Sequence, residues 1–129
     1  MLKLVLLPGM DGTGELFSGF IAALPGTFEV VTVRYPTERY LPYSELENFV
    51  RAACPISGPF MLVAESFSTP LAIQYAATSP ANLAGIVLCT GFATSPVRGV
   101  AAVPWFVACP ARVPCTPSES CGEALACRA

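Results

Sequence analysis

The sequence predicts an α/β fold in which a parallel sheet carries helices on both faces. Three observations predict it. Short apolar runs alternate with helically spaced segments through residues 1–95. Those runs are continuously apolar, as strands buried on both faces are. Turn residues such as Pro8-Gly9 and Thr90-Gly91 close them.

Each element has its own warrant. Lys3–Leu7 is an apolar run stopped by Pro8-Gly9, a first strand. In Glu15–Leu24, the residues Leu16, Phe17, Phe20, Ile21 and Leu24 fall on one helical stripe. Phe28–Arg34 is β-branched and reads as a second strand. Tyr43–Ala53 is amphipathic: Leu46, Phe49 and Val50 lie on one side and Glu45, Glu47 and Arg51 on others. Ser44 and Glu47 are spaced as a capping box. Phe60–Glu65 reads as a third strand, Phe67–Thr78 as a helix and Leu83–Cys89 as a fourth strand.

Residues 96–129 break the pattern. They hold five of the 13 prolines and four of the six cysteines. Pro104, Pro110, Pro114 and Pro117 interrupt any long helix. An irregular tail is expected there, with one short helix near Glu119–Ala126. The chain thus divides into a core, 1–95, and a Pro- and Cys-rich tail, 96–129.

Composition narrows the function classes. Of 129 residues, 53% are hydrophobic and 12% charged, against about 25% charged in an average domain. A chain so poor in charge either buries most of itself or has apolar surface covered by another subunit. The net charge is −2, with no basic run, so no nucleic-acid partner is expected. No apolar run approaches the roughly 18–20 residues of a membrane span. The opening Met1–Leu7 is too short for an export signal, and Asp11 stands where a cleavage region belongs. A cytoplasmic protein is the expectation.

Chemistry concentrates at Ser66, between the third strand and its helix. At a sharp strand-to-helix turn a serine is thrust out as a nucleophile, provided that the residues two before and two after are small. Here those residues are Ala64 and Ser68. A nucleophile so placed sits at a helix N-terminus, whose free N–H groups stabilise developing negative charge. The competing reading is that Ser66 caps the helix. A second motif, Pro8-Gly-Met-Asp-Gly-Thr-Gly14, follows the first strand. A glycine-rich turn there can present the Met10 N–H to an oxyanion, paired with the N–H of Phe67. As a phosphate loop it fails, because no Gly-Lys-Ser/Thr follows.

Together these stretches resemble the N-terminal half of the α/β-hydrolase family. The matching residues are Leu7–Phe17, Arg34-Tyr-Pro36, Leu62–Ser68 and Ile86–Gly91, in the family's order and spacing over roughly residues 1–95. The resemblance implies a truncated hydrolase core: a three-layer parallel sheet of about four strands in the order 2-1-3-4. It implies Ser66 as nucleophile, Met10 and Phe67 as oxyanion donors, and a small ester as substrate. It implies no cofactor and no metal.

One departure bears on mechanism. The family's acid and histidine follow later strands, and this chain has no histidine at all. Its acids after Glu65 are Glu119 and Glu123, in the tail. A serine hydroxyl is a poor nucleophile until a base takes its proton. Glu65 is adjacent to Ser66, but strand neighbours point to opposite faces, so buttressing the elbow suits it better than accepting that proton. Asp11 and Glu15 lie on the oxyanion side, where one can orient a water. A slow esterase acting on activated esters is therefore the expected activity, with a non-catalytic oligomeric remnant as the alternative.

A third reading is a thiol-rich metal module. Cys109, Cys115, Cys121 and Cys127 recur every six residues, a spacing unlike the close pairs of zinc sites. Cys54 and Cys89 read as small buried hydrophobes. Homo-oligomers are expected through the exposed edge of Leu83–Cys89 or through Val100–Val107, which carries Trp105 and Phe106.

Overall fold

The computed structural model describes residues 1–93. The tail, with its four cysteines, the stretch Val100–Val107 and the expected helix near Glu119, lies outside the described residues. Four strands form one parallel sheet: β1 (Lys3–Leu7), β2 (Glu29–Thr32), β3 (Phe60–Glu65) and β4 (Leu83–Cys89). Their order is β2-β1-β3-β4, as expected. Register places Val5 of β1 between Val31 of β2 and Leu62 of β3, and Leu62 opposite Ile86 of β4.

Helices cover the two faces unequally. On one face α2 (Tyr43–Ala53) and α3 (Thr69–Ala77) pack over the larger core, built on Val5, Leu7, Phe60, Leu62 and Ala64. Leu46 and Val50 face inward from α2, and Leu71, Ala72 and Tyr75 from α3. The other face carries a smaller core of Leu4, Leu6, Phe17 and Val63. It is covered by a 3-10 turn, Glu15–Phe17, that runs into α1 (Ser18–Ala23). The expected single helix over Glu15–Leu24 is thus two pieces. Gly14 starts the turn at φ 75°, where a Cβ would collide with the Thr32 side chain.

Two local expectations fail for identifiable reasons. The capping box of Ser44 and Glu47 does not form. The helix begins one residue earlier, at Tyr43, with Pro42 as N-cap and no side-chain cap. Ser44 is therefore already inside the first turn, and Glu47 pairs with Arg51 one turn on, at 2.5 Å. Cys54 is buried as expected, and burial pushes its thiol up. Cys89 is exposed, because it ends β4, which has β3 on one side and no second neighbour among the described residues. No helix among the described residues is long and apolar enough to cross a membrane.

Candidate functional site

Parallel strands deliver their C-terminal ends to one rim of the sheet, and the candidate site lies on that rim. β1 ends at Leu7 and feeds the loop Pro8–Gly14; β3 ends at Glu65 and feeds Ser66. The chain passes from extended backbone at Glu65 (φ −103°, ψ 131°) straight into a 3-10 turn, Ser66–Ser68, and then into α3. Ser66 makes the corner at φ 43°. L-residues avoid that left-handed region, at a cost of about 1–2 kcal/mol. Such strain persists where the surroundings over-determine it.

The surroundings are specific. Ala64 and Ser68, two residues to either side, are fully buried, so the corner has room for small side chains alone. Ser68 takes the position that a glycine usually fills, and its hydroxyl has a use. It donates to the Pro8 carbonyl and accepts from the Tyr35 hydroxyl, at 2.9 Å. Pro8, Tyr35 and Ser68 are all buried. This relay ties the ends of β1 and β2 to the start of α3. Tyr43 adds a second tie. Its hydroxyl donates to the Phe67 carbonyl at 2.8 Å, and its ring stacks on Phe67 at 4.9 Å between centroids. Burial pushes the Tyr35 and Tyr43 hydroxyls up to about 12, so both stay protonated donors.

A third tie closes the far side. The Thr69 hydroxyl lies 2.8 Å from the Ser66 carbonyl, and the Phe92 N–H donates to it at 3.1 Å. Gly91 allows this approach: a Cβ there would stand 2.5 Å from Thr69 Cγ2. The Ser66 side chain, in contrast, caps nothing. The N-cap of α3 is Ser68, and neither cap of this segment forms a side-chain bond. Among the described residues the Ser66 hydroxyl has no hydrogen-bond partner.

The expected oxyanion donors come together. Met10 and Phe67 line one cleft of about 610 Å³, and among the described residues neither N–H is spent on another acceptor. Asp11, Gly12, Tyr35, Leu41 and Leu46 line the cleft too. Ser66 stands beside the cleft and does not line it.

The two supporting acids both approach Gly9. A Cβ placed there would lie 3.4 Å from Glu65 Cδ and 3.6 Å from Asp11 Oδ1, so both carboxylates flank the start of the Pro8–Gly14 loop. Asp11 accepts from the Thr13 hydroxyl at 2.5 Å and the Thr13 N–H at 3.2 Å. That hydroxyl holds the Asp11 carboxyl below the usual carboxylate range, which weakens it as a proton acceptor. Glu65 makes no hydrogen bond to a described residue, so it packs against the loop and the relay through Ser68 holds the elbow. Glu15 opens the 3-10 turn and does not line the cleft. Among the described residues no group of His, Cys, Asp and Glu is arranged to hold a metal ion.

Tyr35 and Tyr43 were not legible as site residues. Tyr35 sits in the Arg34-Tyr-Pro36 stretch and Tyr43 at a helix start, and neither position signals that its hydroxyl reaches across to another element. No family model matches the chain, and no curated protein matches it.

Proposed function

We propose that the protein is a serine hydrolase acting on small carboxylic esters, with Ser66 as nucleophile. The carrying observation is the corner at Ser66: a serine at φ 43° between a strand and a helix, with buried Ala64 and Ser68 on either side. A serine used only for capping has no need of that strain. The N–H groups of Met10 and Phe67, unspent among the described residues and at one cleft, support the same reading.

The chemistry follows from these groups. Ser66 Oγ attacks the acyl carbon, and the carbonyl π electrons move onto oxygen. The N–H groups of Met10 and Phe67 receive that oxyanion. Its collapse breaks the ester C–O bond and expels the alcohol as an alkoxide or phenolate. The serine proton passes to solvent, since the chain has no histidine. Water then attacks acyl-Ser66, releases the acid and restores the hydroxyl. In this reading the Asp11 carboxylate, beside Gly9, orients that water. Without a dedicated base, an oxyanion hole and binding still leave about 10³–10⁴-fold catalysis over water. Activated esters, whose leaving groups need no proton, are the substrates this machinery favours.

A fluorophosphonate probe tests the proposal directly. Labelling at Ser66, lost in Ser66→Ala, is the expected result. A folded protein that stays unlabelled through alkaline pH would sink the enzyme and leave the corner as a structural turn.

A further inference from the structure

The cleft beside Ser66 is apolar along its walls and carries one cation that no described residue pairs. Met10, Tyr35, Pro36, Leu41, Leu46 and Phe67 supply apolar surface. Clefts of about 300–1,000 Å³ with few polar groups are typical small-ligand sites, and those polar groups fix the ligand's orientation. Arg39, on the connection between β2 and α2, is the cation. Both ion pairs among the described residues lie elsewhere, Lys3–Glu29 and Glu47–Arg51. Arg39 has no hydrogen bond to any described residue. Asp11, the acid that also lines the cleft, is already held by Thr13. Neighbouring Glu38 does not line the cleft.

We infer that this cleft selects esters whose acyl chain ends in an anion, with Arg39 binding a terminal carboxylate. The inference rests on Ser66 being the nucleophile, since it places the acyl chain in the cleft that holds the oxyanion donors. A guanidinium binds a carboxylate through two parallel N–H···O bonds and stays charged at every working pH. Tyr40, next to Arg39 and 90% exposed, offers a ring that the methylene chain of such a ligand would cover. A neutral acyl chain would fill the apolar walls and leave the guanidinium facing solvent.

The test compares mono-p-nitrophenyl esters of adipate, suberate and sebacate with neutral p-nitrophenyl esters of equal chain length. At one length or more, the anionic ester should exceed its neutral counterpart about tenfold in kcat/KM, the effect of about 1.4 kcal/mol of binding. The difference should lie in KM, and Arg39→Gln should collapse the ratio to about one. Equal or better turnover of the neutral esters at every length overturns the inference, as does a ratio that Arg39→Gln leaves unchanged. Free adipate, suberate and sebacate provide a readout independent of chemistry, through NMR shifts in the Ser66→Ala protein. Binding that Arg39→Gln abolishes, in a protein that hydrolyses no ester, upholds the anion site and removes the hydrolase. Hydrolysis without chain-end selectivity upholds the hydrolase and removes the anion site. No binding of any diacid counts against the inference.

Discussion

Ser66 keeps a backbone conformation that costs energy, and every neighbour helps to impose it. Ala64 below and Ser68 above are buried, Thr69 reaches its carbonyl, and the polypeptide enters a 3-10 turn immediately after it. Glycine adopts the left-handed region without that cost. Ser66→Gly should therefore stabilise the fold by about 0.5–1 kcal/mol, after the extra chain entropy of glycine is deducted, while abolishing fluorophosphonate labelling. Urea denaturation compared with wild type reads the first effect. Unchanged or lower stability would mean that the corner is not strained. Stability set against function at one atom is what a reactive turn predicts, since strain is kept where it is used. The corner at Ser66 and the loop that carries Met10 were legible because strand-to-helix and glycine-rich turns are local patterns. The sequence hid the relay of Tyr35, Ser68 and Pro8, because a hydrogen bond between residues 33 or 60 positions apart leaves no local trace.

At the scale of elements, β4 is the weak partner. It pairs with β3 alone among the described residues; Leu83 and Ile86 pack on the larger core, but Val87 is 41% and Leu88 43% exposed. An unpaired edge of this kind accepts another strand. The expected outcome is reversible self-association, seen as a mass that rises with concentration in analytical ultracentrifugation. Val87→Lys should shift it toward monomer; a wild-type monomer at every concentration would exclude edge pairing. The four strands were legible because each is a continuous apolar run with a turn at its end. The starts of the helices were less so. A capping box is a pattern of two residues, and at α2 the competing signal of Pro42, which is fit to precede a first turn, set the boundary instead.

Across the whole molecule, buried Tyr35 and half-buried Tyr43 couple stability to pH. Burial pushes the Tyr35 and Tyr43 hydroxyls up to about 12 from the usual 10. The unfolded chain therefore loses these protons first as pH rises. The stabilisation is complete below pH 10 and is lost as pH climbs toward 12. Melting temperature should fall across that window, and Tyr35→Phe, which has no proton to lose, should flatten part of the fall. An equally steep decline in Tyr35→Phe would place the alkaline transition elsewhere. Fold class was readable because short apolar runs alternate with helical segments; the sheet order came with the family resemblance, since crossover handedness alone leaves several orders open. The cleft was not readable, since its walls come from three separate stretches around Met10, Tyr35–Leu46 and Phe67.

The bond from Ser68 to Pro8 spans 60 residues, and this fixes when the site comes into being. Closing so long a loop costs entropy that few contacts repay until β1 and β3 have paired. Tyr35 joins the same knot from a third segment, 33 residues away from Ser68. A fragment that omits any of these three segments lacks that knot. Formation of the tight corner at Ser66 is therefore tied to the pairing of β1 with β3, so that refolding kinetics and the appearance of the site's geometry report one event.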